Sequence, residues 1–187
     1  MFLDAFIVLV AALVPAALAR RTEAFERTPH APYVAAAGGL LLASAFVPWV
    51  TVGEYAWELQ GGFTIIAGQG TPDAGPFFGS YNSTVLNAST GTALLVFAFT
   101  GHDRALHAAL LVAAAPVLAA ASDLVTVLTT GTVDDVHVLR LTGNDVRELM
   151  LDDVTVTLHV GVLAATAAAI PLAVALTRTG RPWSRFR

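Results

Sequence analysis

Two residues raise the first chemical question in this 187-residue chain. Asp123 interrupts the apolar run "APVLAAASDLVTVL", and His159 stands near the start of another apolar run that ends at Thr177. An acid inside a membrane-length apolar helix is costly, and by default it marks a functional polar site with a nearby partner. Asp123 falls about 18 residues into its helix, hence about 27 Å along it, and His159 about five residues into the next. With the two helices antiparallel, both side chains reach a similar depth near one surface. Such a pair could share a proton or hold a cation. In the competing structural reading, Asp123 hydrogen-bonds Ser122, Thr126 or backbone groups at the interface, and His159 reaches toward the headgroups.

The remaining polar clusters have simpler readings. "GHDRALH" offers His102, Asp103 and His107 as metal ligands. Equally, Gly101 ends one helix, Asp103 caps the next and Arg104 holds the turn at a basic surface; no metal is assigned there. Asp134-Asp135 and Asp152-Asp153 lack the spaced oxygen ligands of a calcium loop and read as acidic surface. Asn82-Ser83-Thr84 and Asn87-Ala88-Ser89 are glycosylation sequons. Asn82 is the credible acceptor, because Asn87 lies too near the membrane, or inside the helix, to be reached. There is no phosphate loop, no G-x-S-x-G and no H-E-x-x-H, and no basic, aromatic-laced patch for nucleic acid. Cysteine is absent, which excludes disulfides, thiol nucleophiles and Cys-based metal centres. No catalytic residue and no cofactor are assigned.

The elements that must position these residues follow from composition. The chain is 56% hydrophobic and 13% charged, against about 25% charged in a soluble domain. Five segments are apolar enough for spanning helices, which need about 20 residues each: residues 1–19, 33–52, 84–100, 105–129 and 154–177. The first carries Asp4 ahead of its apolar run and Arg20-Arg21 behind it. That order is reversed from a signal peptide and fits an uncleaved helix with its N-terminus outside. Five crossings then put Arg20, Arg21, Arg27, Arg104, Arg178, Arg181, Arg185 and Arg187 on the cytoplasmic side, leaving only Arg140 and Arg147 outside. Eight against two satisfies the positive-inside rule. The Arg-rich tail with Trp183 and Phe186 then lies at the inner leaflet.

The external loops span residues 53–83 and 130–153. In the first, Tyr55, Trp57 and Leu59 alternate with polar positions, Gly61-Gly62 offers a turn and "FTII" a returning strand. Tyr55, Trp57 and Phe63 are the candidate external contact surface. In the second, "TVDDVHVLRL" reads as a strand, "TGND" as a turn and "DVRELMLDD" as one or two helical turns. Pro48 and Trp49 read as the end and interfacial anchor of the second helix.

Packing signals are small residues at fourfold spacing: Gly161, Ala165, Ala169 and Ala173 in the fifth segment, and Ala35, Gly39 and Ala43 in the second. Pro15, Pro116 and Pro171 lie within helices and read as packing bends.

Segments two to five, with a Trp-bearing first loop, a very short inner turn and a shorter second loop, resemble the claudin-like tetraspan proteins. Trp49, Trp57 and Gly61-Gly62 lie roughly where that family keeps its W…GLW element. The family's paired cysteines are absent here and an extra helix comes first. The resemblance implies a small external sheet over a four-helix bundle, with the sheet meeting partner proteins. The lack of Lys, the abundant Asp and the net charge of -4 resemble the bias of a GC-rich halophilic archaeon. The sequence therefore predicts a single all-α membrane domain, a five-transmembrane-helix bundle with a small external β-hairpin or sheet. It sits in the cell membrane with its C-terminus cytoplasmic. Its expected role is non-enzymatic: an adhesion-like protein or accessory subunit, glycosylated outside. A protein partner or second copy would meet it through the external loops or the small-residue helix faces. The alternative is a small transporter, channel or membrane enzyme using Asp123 and His159.

Overall fold

The computed structural model describes residues 2–23, 25, 28–52, 57–60, 63–64, 80–101, 103–130, 132–133, 136–142, 145–151 and 154–179. Most of them are helical. The helices are α1 (Phe2–Ala19), α2 (Ala31–Ser44), α3 (Ser80–Thr100), α4 (Asp103–Thr130), α5 (Val160–Ala167) and α6 (Ala169–Thr179). Only Ala168 parts α5 from α6. Its N–H still donates to Ala164 at 3.1 Å, and Leu172 donates back to Ala168 at 3.2 Å. The interruption falls where Pro171 lacks the N–H for Ala167 and crowds its carbonyl. The two pieces form one continuous stretch, giving five helices among the described residues. Two stretches, Phe2–Ala19 and Val160–Arg178, are long and apolar enough to cross a membrane.

The helices differ from the sequence expectation in several places, and α3 begins at Ser80, not at residue 84. The second helix stops at Ser44, not near Val52, and Pro48–Val52 forms strand β1. Proline disfavours helix in the residue before it, and the β-branched "VTV" that follows suits a strand. Val154–Leu158 is likewise strand β7, not the first turn of the fifth helix; its Val-Thr-Val-Thr alternation explains this. Asp145–Leu151, expected as helix, is strand β6 paired residue for residue with β5 (Val136–Thr142).

The other strands are β2 (Trp57–Gln60), β3 (Phe63–Thr64) and β4 (Thr132–Val133). They join β1 and β7 in one sheet of order β3-β2-β1-β7-β4, while β5 and β6 form a separate pair. β1 is the middle strand, with Val50 opposite Leu158 and Val52 opposite Val156. Segments that read as two separate loops thus share one sheet, joined through the strand that follows α2 and the strand that precedes α5.

Helix α2 is central and packs against α1, α3, α5 and α6; α4 closes the bundle against α3 and α5. The core is mostly alanine with a few larger residues, among them Val34, Leu41, Leu94, Leu110, Val117, Val162 and Leu172. Large apolar side chains point outward instead, including Leu3, Phe6, Leu9 and Leu13 of α1, Leu111 and Leu118 of α4, and Ile170 of α6. Close approach depends on glycine. A β-carbon on Gly38 would lie 2.8 Å from the carbonyl oxygen of Gly91. One on Gly39 would overlap the Ala11 carbonyl of α1.

The small-residue row of the fifth helix divides. Gly161 and Ala165 are buried, whereas Ala169 and Ala173 are exposed. Each four-residue step turns about 40° around an α-helix, so a straight row leaves the interface within three steps. The buried seam is Gly161, Ala165, Ala168, Leu172 and Ala175, the alternating four-three spacing of a coiled-coil seam.

Candidate functional site

Polar residues collect at the end of the bundle where α2 stops. Trp49 falls where the register of β1 against β2 shifts, between Pro48 and Val50. A bulge of this kind re-aims a side chain. Trp49 is only 7% exposed, and its Nε1–H donates to the carbonyl oxygen of Ser44 at 2.6 Å. That carbonyl belongs to the last turn of α2 and has no helical donor of its own. The indole supplies one. Trp49 is therefore a buried cap on the helix and not an anchor at the headgroups.

Ser44 links two helices. Its hydroxyl donates to Leu41 at 2.7 Å and accepts from Asn87 Nδ2 of α3 at 3.3 Å. Asn87 is 1% exposed and Thr90, one turn on, is also buried. Buried polar groups need partners, so the Ser44–Asn87 contact fixes how α3 sits on α2.

His159 adjoins this knot through the backbone. It is extended, with φ -118°, and its N–H donates to the Trp49 carbonyl at 2.8 Å. The pairing of β7 with β1 thus continues one residue past Leu158, and α5 begins only at Val160. His159 stands ahead of the helix, half-buried, not five residues inside it. Among the described residues, Asp4 of α1 lies in electrostatic range of it. In the sequence Asp4 bears only on the signal-peptide question. The available signal is spacing: Asp4, Val8, Ala11, Pro15 and Ala19 are all half-buried or buried along one side of α1. The side chain of Asp123 lies outside the described residues; its backbone belongs to α4.

At the other end, Arg178 of α6 stacks over the Tyr33 ring of α2, 4.6 Å from its centroid. Thr28 and His30 are buried beside the start of α2, and Thr22 donates to the Ala19 carbonyl at 2.8 Å to finish α1.

Of the residues proposed for external contact, Tyr55 lies outside the described residues. Trp57 and Phe63 sit in β2 and β3, opposite Val52 and Gln60, with their side chains outside the description. Asn82 is in the first turn of α3, its side chain likewise outside. The hydroxyl of Ser44 is engaged with a main-chain oxygen and an amide, a structural pairing and not that of a nucleophile with its base. Among the described residues no three His, Asp or Glu side chains converge as a metal site. Chemically, the knot locks helix ends together. Comparison with protein-family models, with curated proteins and with solved structures gives no match.

Proposed function

We propose that the chain is a non-enzymatic integral protein of the cell membrane, crossing five times with the N-terminus outside and the C-terminus in the cytoplasm. Its external sheet serves as a contact surface for a protein partner or a second copy. The observation that carries this reading is the inverted core. Small residues fill the inside, and the large apolar side chains of α1, α3, α4 and α6 face outward. A soluble fold buries its large apolar residues; helices in lipid gain by bringing backbones close through Gly and Ala. The short α2 fits the same picture, because β1 continues its path outward into the sheet, paired on both sides with β2 and β7.

In this role the chain is an adhesion-like relative of the claudin-like tetraspan proteins, or an accessory subunit of a membrane complex. Trp57, Phe63 and Tyr55 belong to the contact surface and Asn82 carries a glycan. The test is capture of the tagged chain from native membranes after alkaline extraction, with partners identified by mass spectrometry. A stoichiometric partner lost on Trp57→Ala supports it. A chain released by alkali, or one that stays monomeric and partnerless, contradicts it.

A second reading, a small transporter or channel built on a polar pair, is favoured by Asp4 lying in electrostatic range of His159. On this reading His159 works with Asp123, as the sequence suggests, or with Asp4. Proton or cation flux in liposomes that falls in both Asp4→Asn and His159→Gln supports it; no flux above empty liposomes removes it.

A further inference from the structure

The chain has only two arginines, and no lysine, between Ala105 and Thr177: Arg140 and Arg147. The register of β5 against β6 places them directly opposite each other, between the pairs Leu139–Glu148 and Leu141–Val146. We propose that this rung is an oxyanion-binding site, taking a phosphate or sulfate group.

Like charges directly opposite on an antiparallel pair are destabilising. The cost is largest where the sheet has only two strands, since an isolated hairpin is marginal in water. β5 and β6 pair with no third strand among the described residues. By register, Val136, Val138, Arg140 and Thr142 share a face with Leu151, Leu149, Arg147 and Asp145. Those positions include two arginines and one aspartate, one positive charge in excess. A bound oxyanion removes the repulsion and ties the two strands together. Guanidinium is the group suited to this, because its planar fork of N–H donors matches phosphate and carboxylate oxygens two at a time. A tetrahedral dianion can accept from two forks at once, which favours phosphate or sulfate over a single carboxylate. The positive-inside rule gives no reason for arginine on the outer side, and here both external arginines fall on one rung. The register holds whatever the number of crossings; the proposal goes beyond the partner-contact reading and does not depend on it.

The oxyanion can come from solution or from a lipid headgroup, and the experiment separates them. The full chain in phosphatidylcholine nanodiscs is titrated calorimetrically with inorganic phosphate and with sulfate. The same titration is repeated in nanodiscs enriched in phosphatidylglycerol. Saturable binding in the first, weakened about tenfold or more by Arg140→Gln or Arg147→Gln and tightened by Asp145→Asn, is the expected result. Loss of that binding in the anionic nanodiscs assigns the site to a headgroup; its persistence assigns it to a free anion. Arg140→Lys keeps the charge and loses the fork, so it should also weaken binding, and it serves if the Gln variants misfold. Absence of binding to the wild-type chain overturns the proposal, as does an affinity unchanged by Arg140→Lys and by both Gln variants.

Discussion

Gly38 and Gly91 face each other across the crossing of α2 and α3, so closely that a β-carbon on Gly91 would lie 2.7 Å from the Gly38 carbonyl oxygen and 2.6 Å from the Leu42 nitrogen. Backbone cannot move aside as a side chain can. Gly91→Ala and Gly38→Ala should therefore each destabilise the bundle by about 1–3 kcal/mol through overpacking. The neighbouring side chain offers no slack either: Leu94 is fully buried, and its own β-carbon would stand 3.1 Å from one on Gly38. Denaturation in mixed micelles reads the change. Wild-type stability in both variants would show that the helices do not cross at these glycines.

Trp49 provides a test in which size and hydrogen bonding separate. Trp49→Phe keeps most of the buried ring but leaves the Ser44 carbonyl without the indole donor, at a cost of about 1–2 kcal/mol. Trp49→Ala also opens a cavity and should cost about 3–5 kcal/mol. Equal losses in the two variants would mean that the indole N–H contributes nothing. Negligible losses in both would place Trp49 at the bilayer surface.

The two sequons should behave differently. Asn87 is buried and its amide donates to Ser44, so the transferase cannot reach it. Glycopeptide mass spectrometry of the chain from a glycosylating host should find sugar on Asn82 and none on Asn87. A glycan on Asn87 would contradict the Ser44–Asn87 contact outright.

Helix existence is legible in this sequence because long apolar runs have no other economical reading. The places where helix gives way to strand are harder to see. "PWVTV" and "VTVTL" are apolar enough to extend a spanning helix, and only pairing of β1 with β7 makes them strands. That pairing joins Val50 to Leu158, more than 100 positions apart, and no local pattern carries it. The same ladder moves His159 out of the helix and beside Trp49, which the count of residues from the start of an apolar run misplaces. "DVRELML" has helical formers but sits opposite the β-branched "VHVLRLT", and tertiary context overrides propensity. The row of Gly161, Ala165, Ala169 and Ala173 shows a different limit. Fourfold spacing is correct for one crossing and drifts off the face over a long helix, so the heptad through Gly161, Ala168 and Ala175 is the better guide. An acid that feels the charge of His159 lies on α1, the helix whose sequence looks least specific.

The most direct test of the central claim uses the absence of cysteine. Single cysteines are placed at Glu23, His137 and Arg178, and intact cells are treated with a membrane-impermeant maleimide. Five crossings with the N-terminus outside predict that His137→Cys is labelled at once, while Glu23→Cys and Arg178→Cys react only after permeabilisation. Labelling of Glu23→Cys or Arg178→Cys on intact cells as fast as His137→Cys would contradict it.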